Sequence, residues 1–307
     1  MKDMKKKALL FLATCFTAFS CENKELGMSA IENAMPVRIE FDWQGIAQSE
    51  IPTAEGMRVN IFSTDNSVRD YGVDDISYTG GIVNLINGAE YMTLAYTYQG
   101  NNIYFRNESD RDLIEAYCNA QTRTTYTRAF PDEDTYDEPK GLFYTGKHDK
   151  CVARSGEIIT IAPESKLYKY TFEIRDIEGA EFISETRGAI SGMSRSFFIG
   201  RNQVNPVPAT VLFNATVDKV NGKITGSFRT FGRLDAENNF TIEILYPSNT
   251  GGIVHYTWDV TGQINQSGHF SIVIDNSGIA VPDEGGDAAS GWQVDVDDWN
   301  DQTVPLN

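Results

Sequence analysis

Apolar and polar residues alternate along most of this chain, with a period of two. Val37, Ile39, Phe41 and Trp43 fall on one side of a segment whose other side is Arg38, Glu40 and Asp42. A strand with one buried and one wet face reads this way. The pattern recurs at Met57, Val59 and Ile61, in IVNLI (82–86) and in YMTLAYTY (91–98). The last two are separated by the turn-forming pair Asn87-Gly88. EIITIAP (157–163) closes the first half. Further on, Tyr168, Tyr170, Phe172 and Ile174 alternate with Lys169, Thr171 and Glu173. VLFNATVDKVNGKITGSFRTF (211–231) predicts a long hairpin with Asn221-Gly222 at its tip. FTIEILY (240–246), IVHYTWDVTGQI (253–264) and HFSIVID (269–275) predict further strands. A Gly/Pro/Asp-rich connection over 275–291 leads to WQVDVDDW (292–299), with Trp292, Val294 and Val296 inward and Gln293, Asp295 and Asp297 outward.

Two stretches fit the pattern poorly. RNESDRDLIEAYCNAQ (106–121) predicts either a short helix capped by Asp110 or a strand after a turn. PDEDTYDEP (131–139) reads as an acidic loop between prolines. Many short alternating strands with almost no helical period define an all-β chain of sandwich type. The length suits about two domains, each able to bury a core. The expected division is an N-terminal β-sandwich over 35–163 and a C-terminal one over 164–307.

The beginning of the chain has a different pattern. Lys2, Lys5, Lys6 and Lys7 precede an apolar run over 8–19, and Ala18 and Ser20 lead to Cys21. That run is too short for the roughly 20 residues a membrane span needs. It reads as a lipoprotein signal over 1–20, with Cys21 carrying lipid in a membrane, on an undetermined face. More than one acyl chain on Cys21 gives stable attachment. Residues 21–34, polar and without a sustained apolar period, read as a tether.

The formal charge is −17, which excludes nucleic acid as a partner bound through bulk charge. Of the four cysteines, Cys15 leaves with the signal and Cys21 is used for lipid. Cys118 and Cys151 are then an even pair in an exported chain, either disulfide-bonded or two independent buried thiols. With three histidines and so few cysteines, no zinc pattern can be built, and no cofactor motif occurs.

Candidate chemistry is sparse. GMSRS (192–196) approaches the G-x-S-x-G elbow but lacks its last glycine and lies among strands, so it reads as a serine-rich turn. His148 falls in an expected turn; His255 and His269 fall in strands. Asp132, Glu133, Asp134, Asp137 and Glu138 match no calcium loop and read as solvated. No carboxylate pair is singled out for glycoside hydrolysis, so no catalytic residue is assigned. Trp43, Trp258 and Trp292 read as core, which leaves Trp299 as the candidate exposed aromatic.

Several segments together resemble a family of Bacteroides-type lipoproteins with a domain of unknown function, related to anchor and accessory proteins of the fimbrillin system. They are RIEFDW (38–43), GMRVNIFS (56–63), ITIAPESKLYKYTFEIRDIEG (159–179), ISGMSRSFFIG (190–200), ITGSFRTFG (224–232), IVHYTWDV (253–260) and WQVDVDDWND (292–301). The resemblance implies two tandem transthyretin-like β-sandwiches, outer-membrane lipid attachment and fimbrial subunits as partners. It also implies interaction by β-strand addition, with Trp292, Val294 and Val296 as a possible partner strand. In polymerising members a protease cuts after an arginine near the start. Here no arginine lies between Cys21 and the first strand, which fits an anchor or accessory subunit better than a shaft subunit. The alternative expectation is a surface glycan-binding lipoprotein using Trp299; a hydrolase ranks third.

Overall fold

The computed structural model describes residues 33–52, 56–64, 71–98, 102–121, 133–248, 252–266, 268 and 270–283. The first half contains β1 (Ala34–Phe41), β2 (Met57–Ser63), β3 (Tyr71–Ile76), β4 (Gly80–Ile86) and β5 (Glu90–Tyr96). Short strands follow: β6 (Tyr104–Arg106), β7 (Glu115–Tyr117), β8 (Ala120–Gln121) and β9 (Asp134–Asp137). β10 (Tyr144–Val152), β11 (Ile158–Ile161) and β12 (Glu164–Ser165) complete it. The second half contains β13 (Tyr168–Ile174), β14 (Glu185–Ser194), β15 (Ser196–Phe198), β16 (Gln203–Val204) and β17 (Pro208–Asn214). It continues with β18 (Thr216–Asp218), β19 (Lys223–Thr230), β20 (Asn239–Tyr246), β21 (Gly252–Asp259) and β22 (Ser271–Ile274). Among the described residues helix is confined to single turns such as Thr261–Ile264. The protein is all-β, as its alternation predicts.

The strands form five sheets with the orders β11-β1-β4, β12-β10-β5-β2-β3, β16-β15-β7-β6, β18-β19-β13-β22 and β21-β20-β14-β17-β9-β8. Three apolar cores lie between them. The first joins Val37, Ile39 and Phe41 of β1 to Met57, Val59 and Ile61 of β2. The second is aromatic, built on Tyr170, Phe172, Phe213, Phe228 and Phe240. In it Phe213 and Phe228 stack at 4.3 Å. The third uses the other face of the β2–β5 sheet: Phe62, Met92, Leu94 and Tyr96 pack against Ile114, Ala116, Phe143, Phe197 and Phe231. A sheet with a core on each side loses its polar face, which is why β5 reads EYMTLAY rather than alternating cleanly.

The chain crosses between its halves more than the sequence suggests. The segment 106–121 is strand–turn–strand rather than helix: Asp110 Oδ1 accepts from the N–H groups of Asp112 (2.9 Å) and Leu113 (3.1 Å), and β7 follows. β7 pairs with β15, and β9 runs parallel to β17, so four strands before residue 163 (β6, β7, β8 and β9) join sheets of the second half. The acidic stretch 131–139 is therefore not simply a loop. The segment 211–231 also departs from one long hairpin. β17 belongs to the six-stranded sheet, the chain changes sheet near Ala215, and only β18 and β19 pair around Asn221-Gly222. His148 lies in β10, beside a register shift, rather than in a turn.

The two cysteines take the second of their two alternatives, independent buried thiols. Cys118 and Cys151 are both free and buried. Cys151 sits in the first core and Cys118 in the third, on opposite sides of one sheet, so no disulfide joins them. Burial pushes both thiols up, Cys118 the further.

Candidate functional site

The six-stranded sheet ends in β21, whose partner is β20 alone, in unbroken antiparallel register from Asn239↔Asp259 to Tyr246↔Gly252. The far side of β21 carries no strand among the described residues. Its side chains alternate. Val254, Tyr256 and Trp258 point toward the aromatic core, yet each stays only partly buried, whereas Phe240, Ile242 and Ile244 beside them on β20 are fully buried. Tyr256 and Trp258 stack at 6.2 Å and 14°. Ile253, 50 % exposed, lies on the other face with His255 and Thr257. β21 contains no proline, lysine or bulge, the devices that usually guard a sheet edge. Such an edge can take another strand by backbone hydrogen bonding.

Behind the edge lies a charged row across three strands: Arg187 opposite Glu243 and Glu243 opposite His255. Glu243 is 3 % exposed. Its Oε2 is 3.4 Å from His255 Nδ1, and its Oε1 has no hydrogen-bond donor among the described residues. Burial pushes the carboxyl up to about 7, against the pull of Arg187. A carboxyl raised in the folded state favours folding below its unfolded pKa, and that contribution is lost as pH rises through the folded value. Over the window from about 4.5 to 7 the group costs the fold about 3 kcal/mol. We expect Glu243→Gln to match the wild type in urea unfolding near pH 4 and to exceed it by up to about 3 kcal/mol at pH 8. A constant difference between the two pH values would contradict this origin.

Two buried polar joints hold the middle segment to the second half. Glu115 of β7 accepts from Arg106 Nε (2.7 Å), Asn205 Nδ2 (3.1 Å) and Ser196 Oγ. Glu133 accepts from Gly192 N (3.2 Å) and Thr210 Oγ1 (2.9 Å). Gly192 has φ +72° at a bulge in β14, and a Cβ there would meet the Glu237 carbonyl oxygen at 2.5 Å. The serine-rich segment 192–196 thus lies across two strands and a bulge. Ser194 Oγ is tied to the backbone, its hydroxyl shared between the carbonyls of Ser196 and Asn205 (2.7 and 2.8 Å). Among the described residues no group of three or more His, Cys, Asp or Glu could hold a metal.

Trp43 is partly buried against the first core, and its Nε1 donates to Tyr78 O at 2.7 Å. Cys21, His269, Trp292, Val294, Val296 and Trp299 lie outside the described residues. Sequence reasoning found β21 as a strand but missed it as an edge, because sheet order is a long-range property.

These features define an all-β, multi-sheet sandwich protein whose most distinctive surface is the outer edge of β21, which carries no strand among the described residues. The family model "Domain of unknown function (DUF5119)" matches residues 20–214, more than half of the chain, and the protein belongs to that family. A Bacteroides ovatus protein provisionally designated fimbrium anchoring subunit Fim4B is 27 % identical over 201 residues, 64 % of this chain and 56 % of that one. The chain thus spans little more than half the length of that curated relative. A crystal structure of a provisionally designated adhesin from Bacteroides ovatus shares the fold, with TM-score 0.62 and 20 % identity. That alignment covers 81 % of this chain and 93 % of the other.

Proposed function

We propose that this protein is a lipid-tethered anchor or accessory subunit of a fimbrium, non-enzymatic, which engages fimbrial subunits by strand pairing at the open edge of β21. The observation that carries the reading is that unguarded edge, in a chain 27 % identical over 201 residues to a protein provisionally designated a fimbrium anchoring subunit. Cys21 is the lipid site and the outer membrane the location. The first arginine after Cys21 is Arg38, and it supports a permanent tether. It lies in the middle strand of a sheet, opposite Ile82 of β4 and Ile158 of β11. A cut after it would part β1 within its paired length, next to the fully buried Val37. The division into units over 35–163 and 164–307 stays part of this proposal, with β7 and β9 bridging it.

Cys21→Ser is expected to shift the protein from the membrane to the soluble fraction and to abolish metabolic labelling by an alkyne fatty acid. Fimbrial subunits are expected to co-purify with the wild type from detergent-solubilised envelopes. Retention of the Cys21→Ser protein in the membrane would remove the lipid tether, and wild type without fimbrial subunits would remove the anchor.

One observation favours a second reading, a surface glycan-binding lipoprotein. Tyr168 and Phe270 are exposed, with ring centroids 6.0 Å apart, and offer an aromatic platform in the described residues. This reading expects a glycan-array signal that Tyr168→Ala reduces about two- to twelvefold, at roughly 0.5–1.5 kcal/mol per lost ring contact. An array without signal for the intact protein sinks it.

A further inference from the structure

Among the described residues no strand lies along the outer side of β21, and its core-facing side chains are only partly buried. Both deficits have the same shape. One additional strand beside β21 would pair its backbone and shield Val254, Tyr256 and Trp258.

The chain itself leaves the described structure at this place. Ile279 and Val281 are buried in the aromatic core, and Ala280 bridges Glu178. The Tyr256 hydroxyl is hydrogen-bonded to both the N–H and the carbonyl of Ala280, each at 3.2 Å. Asp283, where the description stops, is therefore three residues beyond a backbone group held by β21 itself. Residues 284–291 can span about 28 Å when extended, and β21 is about 27 Å long. Residue 292 can thus begin a strand at either end of β21. The sequence 292–299 has the matching period. Trp292, Val294 and Val296 would fall on the side of Val254, Tyr256 and Trp258, while Gln293, Asp295 and Asp297 would join His255 and Thr257 on the wetter side.

We infer that residues 292–299 of this chain occupy the edge of β21 as an additional strand when no partner is bound, and that a fimbrial subunit engages the edge by displacing them. The first clause concerns the isolated protein; the second rests on the function proposed above. An edge covered in this way is protected from indiscriminate pairing until the right strand competes for it.

Hydrogen exchange on the purified intact protein tests the first clause. Amides of 252–259 that face away from β20 are expected to exchange at least about tenfold more slowly in the intact chain than in a chain ended at Asp283. Amides of β20 serve as the internal reference. Should the shortened chain fold poorly, Val294→Pro in the full chain removes one N–H and the strand geometry and is expected to accelerate the same amides. Equal, fast exchange in the intact and altered chains overturns the inference. Protection that appears only at high protein concentration, or only with added fimbrial subunit, overturns it too, because the occupant is then another chain. Failure of the functional reading shows separately, as envelopes from which no fimbrial subunit co-purifies.

Discussion

Glu115→Ala is expected to destabilise the protein by about 3–5 kcal/mol, the cost of leaving one side of a buried charged network without its partner. Glu115 is 3 % exposed and sits where β7 crosses to β15. Burial alone would raise its carboxyl, but hydrogen bonds from Arg106, Ser196 and Asn205 outweigh that and hold it below the ordinary carboxylate range. Alanine removes the shared acceptor. Arg106 can turn to water, whereas Ser196 Oγ and Asn205 Nδ2 are buried and lose a bond each. Glu115→Gln keeps the shape and one acceptor oxygen, and is expected to cost only about 1–2 kcal/mol. The pH dependence has the opposite sign to that of Glu243. A depressed carboxyl contributes stability above its unfolded pKa and loses it as pH falls through the folded value, so the deficit of the alanine variant shrinks in acid. Urea unfolding at pH 7 measures the loss, and hydrogen exchange locates it at β7 and β15. A loss under about 1 kcal/mol would show that the network does not hold the joint.

Phe228→Ala is the second large effect, expected at about 3–5 kcal/mol. Phe228 is 1 % exposed. Its ring stacks on Phe213 at 4.3 Å and on Tyr170 at 5.3 Å, and it also neighbours Phe172 and Phe240. Few neighbours can move into the space. Phe213 is wedged against Gly188, where even a Cβ would come within 1.9 Å of the ring. Phe228→Leu is expected to recover about half of the loss. Near-ultraviolet circular dichroism should lose aromatic signal in Phe228→Ala while far-ultraviolet strand signal persists. Wild-type stability in Phe228→Ala would mean that the aromatic core is not what holds these sheets together.

What could be read from the sequence follows from how each strand is buried. β1, β13 and β20 each line one core with alternate residues, and their period of two was legible. β14 was not. All of its residues but Glu185 are buried, and Gly188 and Gly192 interrupt any pattern while admitting the Phe213 ring and the bulge. β9 was hidden by charge. Asp134 and Asp137 suggest a solvated loop, yet Thr135 and Tyr136 between them are buried, and Glu133 is satisfied by Gly192 and Thr210. Cysteine number alone made Cys118 and Cys151 a pair; a whole sheet separates them. Cys21 and 292–299 lie outside the described residues. The β21 edge is formed by strands whose neighbours no local pattern announces.

If a membrane-held chain offers the β21 edge to a fimbrial subunit, a photo-crosslinking amino acid at Ile253, exposed on that strand, will capture the subunit in intact cells. A matched substitution at Val220, 92 % exposed at the tip of the β18–β19 hairpin, is the control. A covalent adduct to a fimbrial subunit is expected from position 253 and none from position 220. Adducts from both positions alike, or from neither, would contradict this.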